Sequence, residues 1–124
     1  MLGTILAKIS SVVISTLRLF PSRDERHQLL AILHSVQGPT QVQPGCQSCR
    51  VYEENGLEGA ILYMERWESE PAMERHVRSE VYRRILAAVE FSRKPPEIAF
   101  DFAATSRGID LIEVLRSEGE CKSQ

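Results

Sequence analysis

The stretch Ile61-Leu-Tyr-Met-Glu-Arg-Trp67, followed by Glu-Ser-Glu-Pro-Ala-Met-Glu-Arg-His76, decides the fold of this chain. Its first seven residues are mostly apolar and aromatic, and they predict a strand that ends at the tryptophan. Ser69 and the Glu-Pro pair after it predict a helix start, because serine caps helices well and proline suits the first helical turn. Since His76 lies on the first turns of this helix, we expect Trp67 and His76 to lean over one site.

The same strand indicates which other side chains join that site. Successive side chains point to opposite faces of a strand, so Tyr63, Glu65 and Trp67 are predicted to share one face. If helices cover this face, the carboxyl group of Glu65 is costly to bury unless it is paired or protonated. The predicted site therefore combines a phenol, a carboxyl group and an indole with the imidazole of His76.

Alternating periods along the chain predict the order β-α-β-β-α-β, with the second helical unit broken in two. This order is the ferredoxin-like pattern, an α+β fold with a four-stranded antiparallel sheet. The first helix is predicted to begin with a capping box of Ser22 and Glu25 and to stop at Gly38-Pro39. Strands are predicted at 12–19, 46–54, 60–67 and 97–105, helices at 69–78 and 80–90, a short helix or fifth strand at 108–116, and a frayed tail at 117–124.

Helices on one side of such a sheet leave its other face bare. Val12, Ile14, Leu62 and Met64 are predicted to lie on that bare face, and an apolar surface of this size needs a cover. A second copy of the chain can cover it through a symmetric contact, so we expect a homodimer. The segment at 108–116 is expected to reach onto the partner.

Length and composition exclude several classes of protein. A chain of 124 residues with a net charge of −2 is one domain and lacks the basic excess that nucleic acid binding needs. No apolar run reaches the roughly 20 residues that span a bilayer. We divide the chain into an N-terminal arm at 1–11, a domain at 12–106 and an extension at 107–124. The arm lacks the basic start and cleavage site of a signal peptide.

The chain has three cysteines, Cys46, Cys49 and Cys121. An odd count without a secretory signal predicts reduced thiols and a cytoplasmic protein. Cys46 and Cys49 are three positions apart on a strand, so their side chains should point to opposite faces. We therefore predict that they neither form a disulfide nor bind a metal, and no second cysteine or histidine pair follows at zinc spacing.

These residues resemble the antibiotic biosynthesis monooxygenase family of dimeric α+β barrel proteins. The resemblance covers roughly residues 12 to 105, and its specific part is the segment from the tryptophan to the histidine. It implies a homodimer whose two sheets face each other, with one pocket per subunit between sheet and helices. Some members oxidise quinols or polycyclic phenols without metal or flavin, and one branch binds and degrades haem. The matching pieces are Pro44-Gly45-Cys46, Leu62-Tyr-Met-Glu-Arg-Trp67, Ser69, His76, Ser79 and Tyr82.

Oxygenation of this kind needs a base that makes a phenolate or hydroquinone anion, which can then react with dioxygen. Histidine titrates near neutral pH, so His76 is the first candidate for the base and Glu65 the second. Trp67, Tyr63 and Tyr82 are the candidate contacts to a small aromatic substrate. Arg83 could hold an anionic group, although a surface salt bridge is the usual role of such an arginine. A tryptophan and a histidine at these positions also often serve only to fill the core.

The sequence thus supports a cofactor-independent monooxygenase for a small aromatic or quinol-type substrate, with no metal. The alternative from another class is a non-catalytic, dimeric ligand-binding protein of the same fold. A haem-binding or haem-degrading protein is the third possibility. The haem-degrading branch has an asparagine in the middle of its first strand, where this chain has Ile14-Ser-Thr-Leu17, and this departure argues against haem degradation.

Overall fold

A four-stranded antiparallel sheet forms the centre of the protein, in a computed structural model that describes residues 11–56 and 59–122. The strand order is β2-β3-β1-β4, with every neighbouring pair antiparallel. The predicted α+β, ferredoxin-like fold is confirmed. Apart from Ser11, the predicted N-terminal arm lies outside the described residues. The elements are β1 (Val12–Leu19), α1 (Arg26–Gln41), β2 (Cys46–Glu53), β3 (Ile61–Trp67), α2 (Glu70–Val77), α3 (Glu80–Val89), β4 (Glu97–Ala103) and α4 (Ile109–Lys122).

The sheet buries one face beneath α1, α2 and α3. Along β3, Ile61, Tyr63, Glu65 and Trp67 are buried and the residues between them are half-buried, so the predicted alternation is confirmed. Strand β1 alternates in the same way. Two clusters of side chains form the core between sheet and helices. The larger contains Leu17, Leu19, Leu29, Leu33, Val36, Cys49, Ile61, Tyr63, Ile85 and Ala88, and the smaller contains Val13, Trp67, Ala72 and Met73.

The opposite face of the sheet carries the predicted set of apolar side chains. Val12, Ile14, Leu62 and Met64 are half-buried there in the single chain. Arg18 lies on the same face and links residues at the two opposite edges of the sheet. Its guanidinium contacts Glu54 at 2.7 Å and Glu97 at 3.2 Å. The face therefore carries apolar side chains on its two central strands together with charged residues, among them Arg66, which pairs with Ile14.

Helix α1 differs from the prediction at its C-terminus. It continues through Gly38 and Pro39 to Gln41 instead of stopping at the Gly-Pro pair. Proline has no N–H to donate within the helix, yet the last turn is held by other contacts. The amides of Gln37 and Gln41 donate to the Cys49 carbonyl at 2.8 and 3.1 Å, and Thr40 is fully buried. Tertiary packing thus overrides the local stop.

The N-terminus of α1 also differs slightly. Ser22 was predicted as the N-cap, but the N-cap is Glu25, which makes no side-chain cap hydrogen bond. The two residues do contact each other, with the Glu25 N–H donating to the Ser22 hydroxyl at 3.2 Å and that hydroxyl donating to the Glu25 carboxylate at 3.0 Å. The regular helix begins only at Arg26. The contact therefore closes the turn before the helix.

The C-terminal extension is a helix. The choice between helix and strand at 108–116 is settled by α4, and the prediction of a frayed tail is wrong for residues 117–122, which continue that helix. Every side chain described on α4, from 109 to 119, is exposed. Five of them are large and apolar: Ile109, Leu111, Ile112, Val114 and Leu115. In the single chain, none of the α4 side chains described, at 109–119, belongs to the core.

Candidate functional site

A tight turn before β2 brings the chain against the start of α2. Gly45 has a φ of +88°, and a Cβ atom there would lie 2.5 Å from the Cβ of Ala72. The Gly45 carbonyl accepts a hydrogen bond from the N–H of Glu68 at 2.8 Å. The turn can approach the helix this closely only because residue 45 lacks a side chain. This approach places Gln43 beside His76.

Helix α2 begins as the sequence predicted. The Ser69 hydroxyl accepts the N–H of Ala72 at 3.3 Å, and a proline occupies the first turn. This start fixes the rotation of α2 and turns Met73 and His76 toward the sheet, where both are buried. The short helix thus carries the histidine directly over the buried face of β3.

Glu65 is the centre of a buried hydrogen-bond network. Its Oε2 accepts the hydroxyl of Tyr63 at 2.6 Å and faces Nε2 of His76 at 2.8 Å. Its Oε1 accepts the indole N–H of Trp67 at 2.9 Å. The thiol of Cys49 donates to the Tyr63 oxygen at 3.2 Å. These contacts compensate for burying a carboxyl group beneath helices.

The imidazole of His76 is enclosed on all sides. Nδ1 lies 3.1 Å from Oε1 of Gln43. The ring lies 4.8 Å from the ring of Trp67, and the ring of Tyr82 meets it edge-on at 5.3 Å. The structure therefore brings together five of the six residues that the sequence proposed for the site.

This cluster is closed. His76 and Trp67 are 0% exposed, Glu65 is 1% exposed and Tyr63 is 2% exposed. The four side chains contact one another and are closed off from water in this conformation, so the cavity that they were predicted to border stays a prediction. A substrate could touch them only after the surrounding packing moves. Their catalytic and binding roles stay predictions.

Burial shifts the proton equilibria of the neighbouring groups. Burial raises the pKa of the Tyr63 hydroxyl, and the nearby Glu65 carboxylate raises it further. The same two causes raise the pKa of Tyr82. Burial also raises the pKa of the Cys49 thiol to about 12. All three groups therefore keep their protons at neutral pH and can act as hydrogen-bond donors.

An apolar groove lies beside the closed cluster, between α2 and β4. It has a volume of about 400 Å³ and is lined by Met73, Val77, Phe100 and Phe102, with Glu74 and Arg78 also at its wall. Met73 also packs in the same core cluster as Trp67, and Phe100 packs against that cluster. Met73 therefore connects the wall of the groove with the core cluster that contains the tryptophan.

The groove residues were not assigned to a site from the sequence. Phe100 and Phe102 alternate along β4 and pair with Ser15 and Val13 of β1, which are on the buried face. Yet Phe102 is 51% exposed, because the helices do not extend over β4. The two aromatic side chains at alternate positions of the last strand could have pointed to these residues. Nothing in the sequence indicated that the helices leave this strand uncovered.

Arg83 lies apart from the cluster. Its side chain is 80% exposed and pairs with Glu80 at 3.6 Å. Together with Val81, Arg84 and Ala87 it lines a second, shallow hollow on α3. The structure thus separates Arg83 from the other five proposed site residues.

The two cysteines do not point to opposite faces of β2, so the prediction from strand parity is wrong. The ladder between β2 and β3 shifts register between Cys46 and Ser48, so Cys46 pairs with Trp67 and Cys49 pairs with Glu65. Both thiols therefore lie on the helix-covered face, and a bulge at Gln47 is the cause. Each is a free thiol in the structure. No group of three or more His, Cys, Asp or Glu residues suited to a metal occurs in the described part of the chain.

The architecture defines an α+β protein of ferredoxin-like topology with a buried histidine–carboxylate pair beside an apolar groove. The chain belongs to the antibiotic biosynthesis monooxygenase family, whose model matches residues 12–88, more than half of its length. The resemblance predicted from the sequence is therefore confirmed. Family membership supports a monooxygenase-like function in general terms. No helix within residues 11–56 and 59–122 has the length and apolar character needed to cross a membrane.

Solved structures show the same fold. Rv0793 from Mycobacterium tuberculosis is 26% identical with a TM-score of 0.71, and the match covers 79% of this chain and 100% of that one. A protein from Deinococcus radiodurans, named as a candidate antibiotic biosynthesis monooxygenase, is 26% identical with a TM-score of 0.70, over 78% and 97% of the two chains. A conserved protein from Methanosarcina mazei is 18% identical with a TM-score of 0.69, over 77% and 96%. No curated protein matches the chain.

Proposed function

We propose that this protein is a cofactor-independent monooxygenase that acts on a small aromatic or quinol-type substrate. The observation that carries the proposal is the buried His76–Glu65 pair, at 2.8 Å, together with an apolar groove of about 400 Å³ whose lining residue Met73 packs in the same core cluster as Trp67. That volume suits an aromatic ring system, and apolar walls with few polar groups are typical of ligand sites. Phe100 and Phe102 would pack against the ring.

His76 and Glu65 would supply the proton chemistry. His76 would take a proton from a substrate hydroxyl, and the Glu65 carboxylate would stabilise the resulting imidazolium. The electron-rich substrate anion would then react with dioxygen, with one oxygen atom entering the product and the other leaving as water. The substrate supplies the electrons, so the reaction needs no flavin or metal. Met73 lines the groove and packs in the same core cluster as Trp67. A movement of its side chain would therefore admit the substrate.

Dioxygen uptake tests the proposal. An oxygen electrode should record uptake when the protein meets a hydroquinone or an anthrone-like compound, and His76→Ala should lower the rate by ~10²-fold or more. Glu65→Gln, which keeps the size of the side chain, should lower it as well. Circular dichroism must show that each variant is folded. Normal turnover by a folded His76→Ala protein would exclude the proposed base.

The groove can be tested separately. Phe102→Ala should raise KM, because it removes part of the proposed contact surface. Ile98→Ala is a matched control: Ile98 lies on the same strand and is similarly exposed, at 52% against 51%, but does not line the groove. Equal effects of the two substitutions would argue against substrate binding between α2 and β4.

The closed cluster favours a second candidate, a ligand-binding protein without catalysis. The side chains of His76 and Trp67 have no exposed surface, as expected for a structural core. Such a protein would bind aromatic compounds in the groove, seen as quenching of Trp67 fluorescence, without dioxygen uptake. A Soret band on mixing with haemin would instead indicate the third possibility, haem binding.

We also propose a cytoplasmic homodimer built through the bare face of the sheet. The half-buried Val12, Ile14, Leu62 and Met64 support it, because a second sheet would cover them symmetrically. The exposed apolar residues of α4, in the extension at 107–124, support contact of this helix with the partner's domain at 12–106. Light scattering at micromolar concentration should give twice the chain mass of 14.0 kDa, and a monomer would contradict the dimer.

A further inference from the structure

His76 has a partner on each ring nitrogen although it is completely buried. Nε2 faces Oε2 of Glu65 at 2.8 Å, and Nδ1 faces Oε1 of Gln43 at 3.1 Å. The first partner is a carboxyl group in the core, and the second is a half-buried amide on the turn before β2. The two nitrogens therefore have chemically different surroundings.

The contacts of Glu65 determine which nitrogen keeps its hydrogen. The indole of Trp67 can only donate, and the Tyr63 hydroxyl donates to Glu65 while it accepts from Cys49. Three groups thus contact Glu65, and when this side chain is ionised its oxygens only accept, so that Nε2 of His76 is the third donor. The charge of the imidazole therefore changes at Nδ1, the nitrogen that faces Gln43.

A glutamine amide suits both states of that nitrogen. Its oxygen accepts a hydrogen bond and its NH₂ group donates one, and a half-turn of the amide exchanges the two. We propose that Gln43 is a positioning residue that lets buried His76 gain and lose a proton. The Gln43 oxygen accepts from Nδ1–H of the charged ring, and the Gln43 NH₂ donates to Nδ1 of the neutral ring. Neither state leaves a buried nitrogen unpaired.

The other groups around the ring do not have this property. Glu65 and Tyr63 of β3 contact one another on the Nε2 side, and Tyr82 of α3 meets the ring edge-on. Cys46 and Cys49 of β2 lie on the same face of the sheet, and the thiol of Cys49 donates to the Tyr63 hydroxyl rather than to the ring. The turn at Gly45 holds Gln43 close to the ring, and the Gln43 side chain is only half-buried.

The inference deepens the proposed function and rests on it only where turnover is concerned. In turnover, the proton that the substrate loses would reside on Nδ1, whichever group receives it first. The exchange of amide orientation itself requires no substrate. It can therefore be tested in the resting protein, and its failure is distinguishable from a failure to consume dioxygen.

Trp67 provides the readout. It is the sole tryptophan of the chain and lies 4.8 Å from the ring of His76, and a charged imidazole quenches indole fluorescence more than a neutral one. Fluorescence of the full chain should follow a titration that disappears in His76→Phe. Gln43→Glu should raise the midpoint by about one pH unit or more, because a carboxylate favours the charged ring. Gln43→Leu should lower it by about as much, because the charged ring loses its acceptor.

Gln28→Glu on α1 is the matched control, since it adds the same charge at an exposed position. Its midpoint should remain that of the wild-type protein. The proposal is overturned if Gln43→Glu titrates like Gln28→Glu, if the transition survives in His76→Phe, or if no variant titrates while circular dichroism shows a folded chain. Should Gln43→Leu fail to fold, the nearly isosteric Gln43→Glu decides alone, and long-range ¹H–¹⁵N spectra of His76 should show a change at Nδ1 but not at Nε2.

Discussion

Thr40 carries the one buried side-chain polar atom without a hydrogen-bond partner among the residues that the structure describes. Its hydroxyl is fully buried in the last turn of α1. Thr40→Val replaces this hydroxyl with a methyl group of similar size and should stabilise the protein by about 1 kcal/mol in urea unfolding. Thr40→Ser keeps the hydroxyl and loses the methyl group, so it should destabilise. The reverse order would mean that the hydroxyl has a partner, such as a water molecule.

Cys49 should be protected from thiol reagents in the native protein. It is 0% exposed, and burial raises its pKa from 9.0 to about 12, which leaves roughly a thousandfold less thiolate at mildly alkaline pH. In a Cys121→Ser background, an alkylating reagent followed by mass spectrometry should therefore modify Cys46 first. Modification of both thiols at equal rates would show that β2 opens easily.

The same raised pKa predicts the direction of a pH effect on stability. A thiol whose pKa is higher in the folded chain stabilises the fold fully below pH 9.0, and this contribution is lost as the pH rises toward about 12. The Tyr63 hydroxyl acts in the same sense. Urea unfolding should thus show stability falling on the alkaline side of pH 9.0, and less steeply in Cys49→Ala.

At the scale of single elements, the turn at 43–45 is the most constrained connection. Gly45→Ala places a Cβ atom 2.5 Å from Ala72 at a positive φ, and the contact is with a rigid helix rather than a flexible side chain. The substitution should destabilise the protein by about 1–3 kcal/mol in chemical unfolding. Gly119→Ala on α4 is the control, because a Cβ atom at residue 119 would meet no atom within 4 Å outside its own helix backbone and chain neighbours, and the helix should gain slightly.

The local pattern of the sequence sufficed for some elements and not for others. The burial of Tyr63, Glu65 and Trp67 follows from side-chain alternation, which depends only on the strand itself. The C-terminal end of α1 does not follow from the local pattern, because the amides of Gln37 and Gln41 donate to the Cys49 carbonyl on strand β2. Gln43 and Met73 were missed for the same reason: their contacts depend on how a turn and a helix dock, and neither carries a local pattern.

At the scale of the whole molecule, α4 should be separable from the domain. No side chain described on it is buried, so a chain ending at Gly108 should retain the far-ultraviolet circular dichroism of strands and helices α1 to α3 and unfold at nearly the same temperature. If α4 covers the partner, the shortened dimer should dissociate at higher protein concentration than the full chain. Collapse of the shortened chain would show that α4 supports the domain directly.

The bulge at Gln47 has a consequence for how this protein can diverge. It turns Cys46 and the preceding turn to the helix side, while an uninterrupted strand would turn them to the other. Replacing Gln47 costs at most its exposed hydrogen bond from Arg66, at 2.9 Å, but a one-residue deletion here would carry Gln43 away from His76. We therefore expect the length of this segment to vary less among relatives than its side chains do. Relatives that align without a gap from residue 43 to 49 should be those that keep an amide partner for the histidine.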